Sequence, residues 1–380
     1  MTRPLLTLLA LLLVPTIARA ADDVPLAPAV ECTPRQGLPN FLAKAGTAGA
    51  EVKVAYLGGS ITAQNGWRPK TLDLFRKRFP AAKFSEVNAA IGGTGSDLGV
   101  FRLKQDVLDA KPDLLFVEFA VNDGGAAPDQ IVRCMEGIVR QTWRALPSCD
   151  VCFVYTLVDN MGATLADGKF PRSATTMEKV ADHYGIPSIH MGIEAAKLAK
   201  DGKLIWKGKL PKTDAEKAEL AGKVVFSPDG VHPFPETGHE LYLTAVERSL
   251  PAIAAAPGKP GPHTLKDPIR ADNYERAQML PITKATLSSA FAKPDDMAKR
   301  FGNRLPAIQK ADKPGDAVTI KFKGTRLAIY DVIGPDCGQV TVTLDDRKPV
   351  TVARFDAYCT YHRLAQLVVG TELPDAVHTV

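Results

Sequence analysis

A chain of 380 residues, 45% hydrophobic and 23% charged, has the composition of ordinary globular domains and the length of about two of them, which excludes coiled-coil, collagen-like and disordered architectures. The formal net charge is only +5, and the Lys-rich stretch 197–223 is interleaved with Asp201, Asp214, Glu216 and Glu219, the mixed pattern of a solvated helix face. No nucleic-acid partner is expected from such a balance.

Residues 1–20 break the pattern. Arg3 gives a positive start, residues 5–14 an apolar run, and Ala18-Arg19-Ala20 a small-residue cleavage site, the layout of a secretory signal peptide. The run is shorter than the roughly 20 residues a bilayer span requires, so no stable membrane span is expected and the mature protein is placed outside the cytoplasm, secreted or periplasmic. Export permits disulfides among Cys32, Cys134, Cys149, Cys152, Cys337 and Cys359. A helix between Cys134 and Cys149 would hold them too far apart to bridge, and Cys337 with Cys359, in the same C-terminal segment, is the better candidate pair. The single Cys149-Asp150-Val151-Cys152 pair lacks a second pair at zinc-ligand spacing.

After an N-terminal extension over residues 21–50, short apolar strands alternate with amphipathic helices. Strands are predicted at 52–57 (VKVAYL), 84–88, 114–119 (LLFVEF), 151–157 and 186–190, and helices at 69–79, 100–110, 129–146, 176–184 and 236–250. Strands separated by helical crossovers imply a parallel sheet covered on both faces, a three-layer α/β domain over residues 51–251 that binds ligands at the carboxyl ends of its strands. Residues 252–264 are rich in Pro, Gly and Ala and read as a linker. Residues 265–380 contain short strand-like runs at 317–322, 326–332, 339–344, 349–355, 363–369 and 376–380, bounded by Gly, Pro and Asp, and are predicted to form a smaller all-β sandwich.

The first strand runs into Gly58-Gly59-Ser60-Ile61-Thr62, a turn that sets the Ser60 hydroxyl at the carboxyl edge of the sheet. A serine nucleophile needs a base to take its proton and a carboxylate to hold that base in the right tautomer. Asp229 and His232, in Ser227-Pro228-Asp229-Gly230-Val231-His232-Pro233, are spaced for that contact within one tight turn. Taken alone, Ser60 could equally cap a helix, and Asp229 could cap a turn beside a surface His232. Ester cleavage also needs oxyanion donors, for which Gly93 in Asn88-Ala89-Ala90-Ile91-Gly92-Gly93 and Asn122 in Ala120-Val121-Asn122-Asp123 stand after the second and third strands.

These four blocks, in this order, resemble those of the SGNH hydrolase family, the GDSL-type esterases. The resemblance covers residues 52–250 and implies a flavodoxin-like fold. It implies Ser60 as nucleophile and oxyanion donor, Gly93 and Asn122 as the remaining donors, and His232 with Asp229 as base and orienter. Gly59 replaces the Asp of the family's name motif, Ile61 its Leu, and Ala120 the Gly of Gly-x-Asn-Asp. The Ser-x-Gly elbow of the α/β-hydrolase fold is absent.

No cofactor is expected. Gly93-Thr94-Gly95-Ser96-Asp97-Leu98-Gly99 is only a loose version of a dinucleotide-binding turn. A metal site from Asp229, His232 and His239 would need His239 to leave a helix face. Trp67 and Phe234 are candidate substrate-binding aromatics, and Trp206 also flanks the Asp229 block. The resemblance and the appended β domain imply a serine ester hydrolase acting through an acyl-enzyme on an acylated small molecule or polysaccharide, most simply a carbohydrate O-acetylesterase. A lipase or phospholipase, a glycan O-acyltransferase and a non-catalytic glycan-binding protein are the alternatives. The sequence does not set the oligomeric state.

Overall fold

The computed structural model describes residues 24–380; the expected leader, residues 1–20, lies outside them. A six-stranded sheet forms the centre of the larger domain, in the spatial order Cys32–Thr33, Ser188–His190, Asp150–Tyr155, Leu114–Glu118, Glu51–Gly58, Lys83–Asn88. All neighbours run parallel except the short edge strand Cys32–Thr33, which pairs antiparallel with Ser188–His190. The strands Leu114–Glu118 and Asp150–Tyr155 are buried along their whole length, as expected of parallel strands covered on both faces.

Helix Trp67–Arg78 packs on helix Gly238–Ala254, while Ser96–Asp106 and Arg172–Tyr184 each pack on Pro128–Ala145. An aromatic cluster seals the sheet: Tyr56 stacks on Phe116 at 5.4 Å, and Trp67 meets both edge-on at 5.4 and 5.8 Å. Each such fully buried side chain contributes on the order of 1.5–3 kcal/mol through removal of apolar surface from water.

The chain leaves Glu51–Gly58 toward Lys83–Asn88 on one side and then crosses to Leu114–Glu118 on the other. The carboxyl ends of Glu51–Gly58 and Leu114–Glu118 therefore flank the topological switch point, where the loops diverge and leave a crevice. Gly59-Ser60 follows the first of these strands and Ala120-Val121-Asn122 follows the second.

The Lys-rich stretch is not one helix. It begins in the end of helix Ile193–Lys200, then gives strand Leu204–Lys207, the short helix Asp214–Glu219 and strand Val224–Ser227, whose two strands pair parallel as a ribbon outside the main sheet. Thr213 and Glu216 form a reciprocal capping box that starts the short helix and interrupts any longer one. Helix Gly238–Ala254 continues past Pro251, with Ile253 buried, so the first residues read as linker are helical. The following segment is fastened down: Asn40 exchanges two hydrogen bonds with the Gly261 backbone, His263 stacks on Trp143 at 4.5 Å, and the buried Glu136 accepts the amides of Ile269 (2.6 Å) and Arg270 (3.0 Å).

Beyond it lie four antiparallel strand pairs, Thr286–Leu287 with Val318–Thr319, Lys321–Gly324 with Ala376–Thr379, Leu327–Ile333 with Arg363–Gly370, and Gln339–Val342 with Val350–Ala353. All six cysteines are free thiols, including the expected pair. Cys337 points its Sγ at the Val332 carbonyl (3.7 Å) and Cys359 at Asp356 (3.5 Å), so each sulfur is taken up by its own turn rather than by the other.

Candidate active site

Ser60 opens the four-residue helix Ser60–Ala63 directly after strand Glu51–Gly58. The turn 227–232 approaches it from the other end of the domain. Ser227, fully buried, donates to the Trp206 carbonyl (2.6 Å) and accepts the Gly230 amide (2.7 Å), which fixes the base of that turn. Asp229 Oδ1 accepts the amides of Val231 (2.9 Å) and His232 (2.8 Å), leaving Oδ2 to face the His232 ring.

The two segments meet through that ring. His232 Nδ1 lies 2.7 Å from Asp229 Oδ2, and Nε2 lies 2.8 Å from Ser60 Oγ. With the proton on Nδ1 donated to the carboxylate, Nε2 is left to accept the Ser60 hydroxyl proton. Partial burial works against ionisation of Asp229, yet the bonds from the His232 ring and from the two amides hold it below the usual carboxylate range.

Asn122 comes from the loop after Leu114–Glu118. A Cβ built on Gly59 would stand 2.0 Å from Asn122 Oδ1 and 3.0 Å from Nδ2, so the amide lies directly against the turn that carries Ser60. Among the described residues that amide has no hydrogen-bond partner, which leaves its N–H groups available. Gly92 brings the second loop in, its Cβ direction 3.5 Å from Ser60 Cβ, and Gly93 follows at φ +72°, a left-handed conformation that favours glycine. The structure thus gathers Ser60, Asn122, Asp229 and His232 at one sheet edge, with the Gly92-Gly93 loop alongside.

Two residues missed in the sequence hold this edge. Arg102, fully buried, bonds the carbonyls of Ala89 and Gly58 and pairs with Asp106 at 2.9 Å, which ties the loop after Lys83–Asn88 to the turn before Ser60. Glu118 ends its strand beneath the same turn and accepts from Thr62 (2.9 Å) and Thr156 (2.7 Å). The available signal was a lone acid inside the otherwise apolar LLFVEF run.

Of the candidate aromatics, Trp67 is contradicted by the structure. Trp67 is completely buried in the core with Tyr56 and Phe116, its backbone amide donating to His239 Nδ1 at 3.1 Å, and cannot touch a substrate. Phe234 is half-buried in the turn before helix Gly238–Ala254 and lines neither cavity described below. Trp206 packs edge-on against Phe226 at 5.3 Å. His239 is buried rather than turned toward Asp229, and burial lowers its pKa to about 3, so it stays neutral. The helix N-terminus that a dinucleotide phosphate would need is occupied by the Asp123 carboxylate, which accepts the Ser96 amide at 3.0 Å.

Two cavities flank the site. One, of about 300 Å³, lies between Gly93, Thr94, Gly95 and Asp97 on one side and Arg354, Asp356, Arg363 and Gln366 of the C-terminal domain on the other. The second, of about 490 Å³, is bordered by Leu26, Val121, Gly124, Val158, Met161 and Arg172, on the side of Asn122.

A sheet-edge crevice with this set of side chains defines an esterase or acylhydrolase domain. Residues 56–239 match the GDSL-like Lipase/Acylhydrolase family. Among solved structures, the chain is similar over 92% of its length to 90% of a two-domain esterase active on acetylated mannans, co-crystallised with mannopentaose, at 20% identity and a TM-score of 0.73. A second structure described as the same kind of two-domain esterase matches 89% of this chain and 87% of its own at 20% identity and a TM-score of 0.71. No curated protein matches the sequence.

Proposed function

We propose that the protein is an exported serine esterase that removes O-acetyl groups from carbohydrate through an acyl-enzyme on Ser60. The observation that carries this reading is the His232 ring, bonded at once to Asp229 (2.7 Å) and to Ser60 Oγ (2.8 Å). Ser60 Oγ attacks the ester carbonyl carbon while His232 Nε2 takes its proton, and a new C–O bond forms as the carbonyl π pair moves to oxygen. The resulting oxyanion is met by the amides of Ser60 and Gly93 and by the Asn122 side chain. Its collapse breaks the bond to the leaving alcohol, which takes the proton from His232. Water then adds to the acyl-Ser60 by the same route and releases the acid. No cofactor takes part in this scheme.

Carbohydrate as the alcohol side is supported by the polar wall of the cavity beside Gly93. The two-domain neighbours, described as active on acetylated mannans, support an acetylated polysaccharide as the substrate class. The second cavity, with Leu26, Val121, Val158 and Met161, favours an acyl hydrolase for longer chains as the second reading.

Labelling with a fluorophosphonate serine probe and peptide mapping tests the nucleophile: modification of Ser60, abolished in Ser60→Ala, is expected, and labelling elsewhere overturns it. Release of acetate from acetylated mannan and xylan, compared with hydrolysis of long-chain esters, tests the substrate. Preference for the long chains would move the assignment to a lipase.

A further inference from the structure

Glu118 is a costly residue to keep. It is 1% exposed in the central strand Leu114–Glu118, directly opposite Gly58 in the parallel register, and among the described residues no cation pairs with it. A buried carboxylate met only by neutral donors seldom adds stability compared with an apolar side chain of similar size, so its retention points to a job other than holding the core together.

Its donors identify the job. Oε2 accepts the Thr62 hydroxyl at 2.9 Å and Oε1 accepts the Thr156 hydroxyl at 2.7 Å. Gly59 immediately precedes Ser60 and caps helix Ser60–Ala63, and Thr62 lies within that helix. A helix of four residues has too few internal bonds to hold its own geometry, so its entry and its first turn must be fixed from outside. The carboxylate grips the first turn through Thr62, its strand register sets it opposite Gly58 at the entry, and Thr156 secures it from the end of the neighbouring strand Asp150–Tyr155.

We propose that Glu118 is a positioning residue for the nucleophile: by holding the Thr62 hydroxyl from below, opposite Gly58, it keeps Ser60 Oγ in line with His232 Nε2 and the Ser60 amide beside Asn122. This inference rests on Ser60 being the nucleophile. Displacing a reacting group by about 1 Å costs on the order of 100-fold in rate, so the clamp acts on turnover rather than on substrate affinity.

The test uses the full chain and reads Ser60 directly, through the rate constant for fluorophosphonate labelling, alongside kcat and KM for an aryl acetate and the thermal midpoint. Glu118→Gln keeps the volume but turns one acceptor into a donor. It is expected to slow labelling and lower kcat by about 10- to 100-fold with KM within about twofold. Thr62→Val should act in the same direction, and Thr62→Ser, which keeps the hydroxyl, should stay within about threefold of the parent. Labelling at the parental rate in Glu118→Gln, with only the thermal midpoint lowered, would reduce Glu118 to a structural residue and overturn the proposal. If Glu118→Gln does not fold, the Thr62 pair decides: equal labelling rates in Thr62→Val and Thr62→Ser overturn it. A parent protein that is not labelled at Ser60 defeats the esterase reading itself, a result distinct from any of these.

Discussion

Gly59 and Asn122 are in contact only because residue 59 has no side chain: a Cβ there would stand 2.0 Å from Asn122 Oδ1 and 2.7 Å from its Cγ. The departure from the family's name motif at this position is therefore matched to where the amide lies. Gly59→Ala is expected to push Asn122 away from Ser60 and lower kcat by about 100-fold or more, the scale of losing one oxyanion donor. Gly59→Asp, which restores the motif's acid but leaves Ile61 in place of its Leu, should be no better than Ala. Steady-state kinetics on an aryl acetate decide this, and recovery of activity in Gly59→Asp would show that the contact does not matter.

Asp229 divides its two oxygens between backbone and ring. In Asp229→Asn the side-chain oxygen can still accept the amides of Val231 and His232, so the turn should survive, while the new NH₂ faces His232 Nδ1 and favours the tautomer with its proton on Nε2. That tautomer cannot accept from Ser60. The expected loss in kcat is about 10³- to 10⁴-fold with a thermal midpoint close to the parent's. A loss below about tenfold would place the orienting role elsewhere.

Asp123 gives the fold a pH dependence of defined sign. Burial raises its pKa from 3.8 to about 7, against the opposing bonds from Ser96. Below the unfolded value both states hold the proton; between it and about 7 the folded state keeps a proton the unfolded chain has lost. Stability from this group is thus full at the acid end and falls as pH rises to about 7, by up to about 4 kcal/mol. Thermal melts of the parent and of Asp123→Asn between pH 5 and 7.5 should diverge, with the shallower decline in the variant. Parallel curves would mean that Asp123 is ionised throughout that range.

Glu136 anchors the segment after the last helix of the larger domain by accepting two backbone amides and the Tyr184 hydroxyl (2.8 Å). Glu136→Ala strands those donors and should cost about 2–4 kcal/mol. Trypsin should then cut at Lys266, Arg270 or Arg276 under conditions in which the parent resists. Unchanged resistance would show that the His263 and Asn40 contacts suffice.

The sheet was legible because its strands are continuous apolar runs between turn residues. The site was legible because its residues sit in four short blocks at the ends of those runs. Cys32–Thr33 escaped because two residues carry no periodicity. Trp67 misled because nearness to Ser60 along the chain says nothing of direction: as the first residue of its helix it turns inward to Tyr56 and Phe116. Arg102 and Glu118 were passed over because charge ordinarily signals exposure; two carbonyls and the Asp106 carboxylate explain the burial of one, and two hydroxyls that of the other. The pairing of Cys337 with Cys359 failed for a related reason, since closeness in one segment does not set the direction of a Cβ–Sγ bond.

Arg304, from the C-terminal portion, reaches the same Asp106 oxygen that Arg102 uses, at 3.1 Å, and donates to the Asn88 carbonyl as well. Replacing the C-terminal portion with a foreign one would therefore leave Asp106 one guanidinium short, one salt bridge away from the turn that presents Ser60. Chimeras built from this protein will need to carry Arg304 with the catalytic half, or supply a cation in its place.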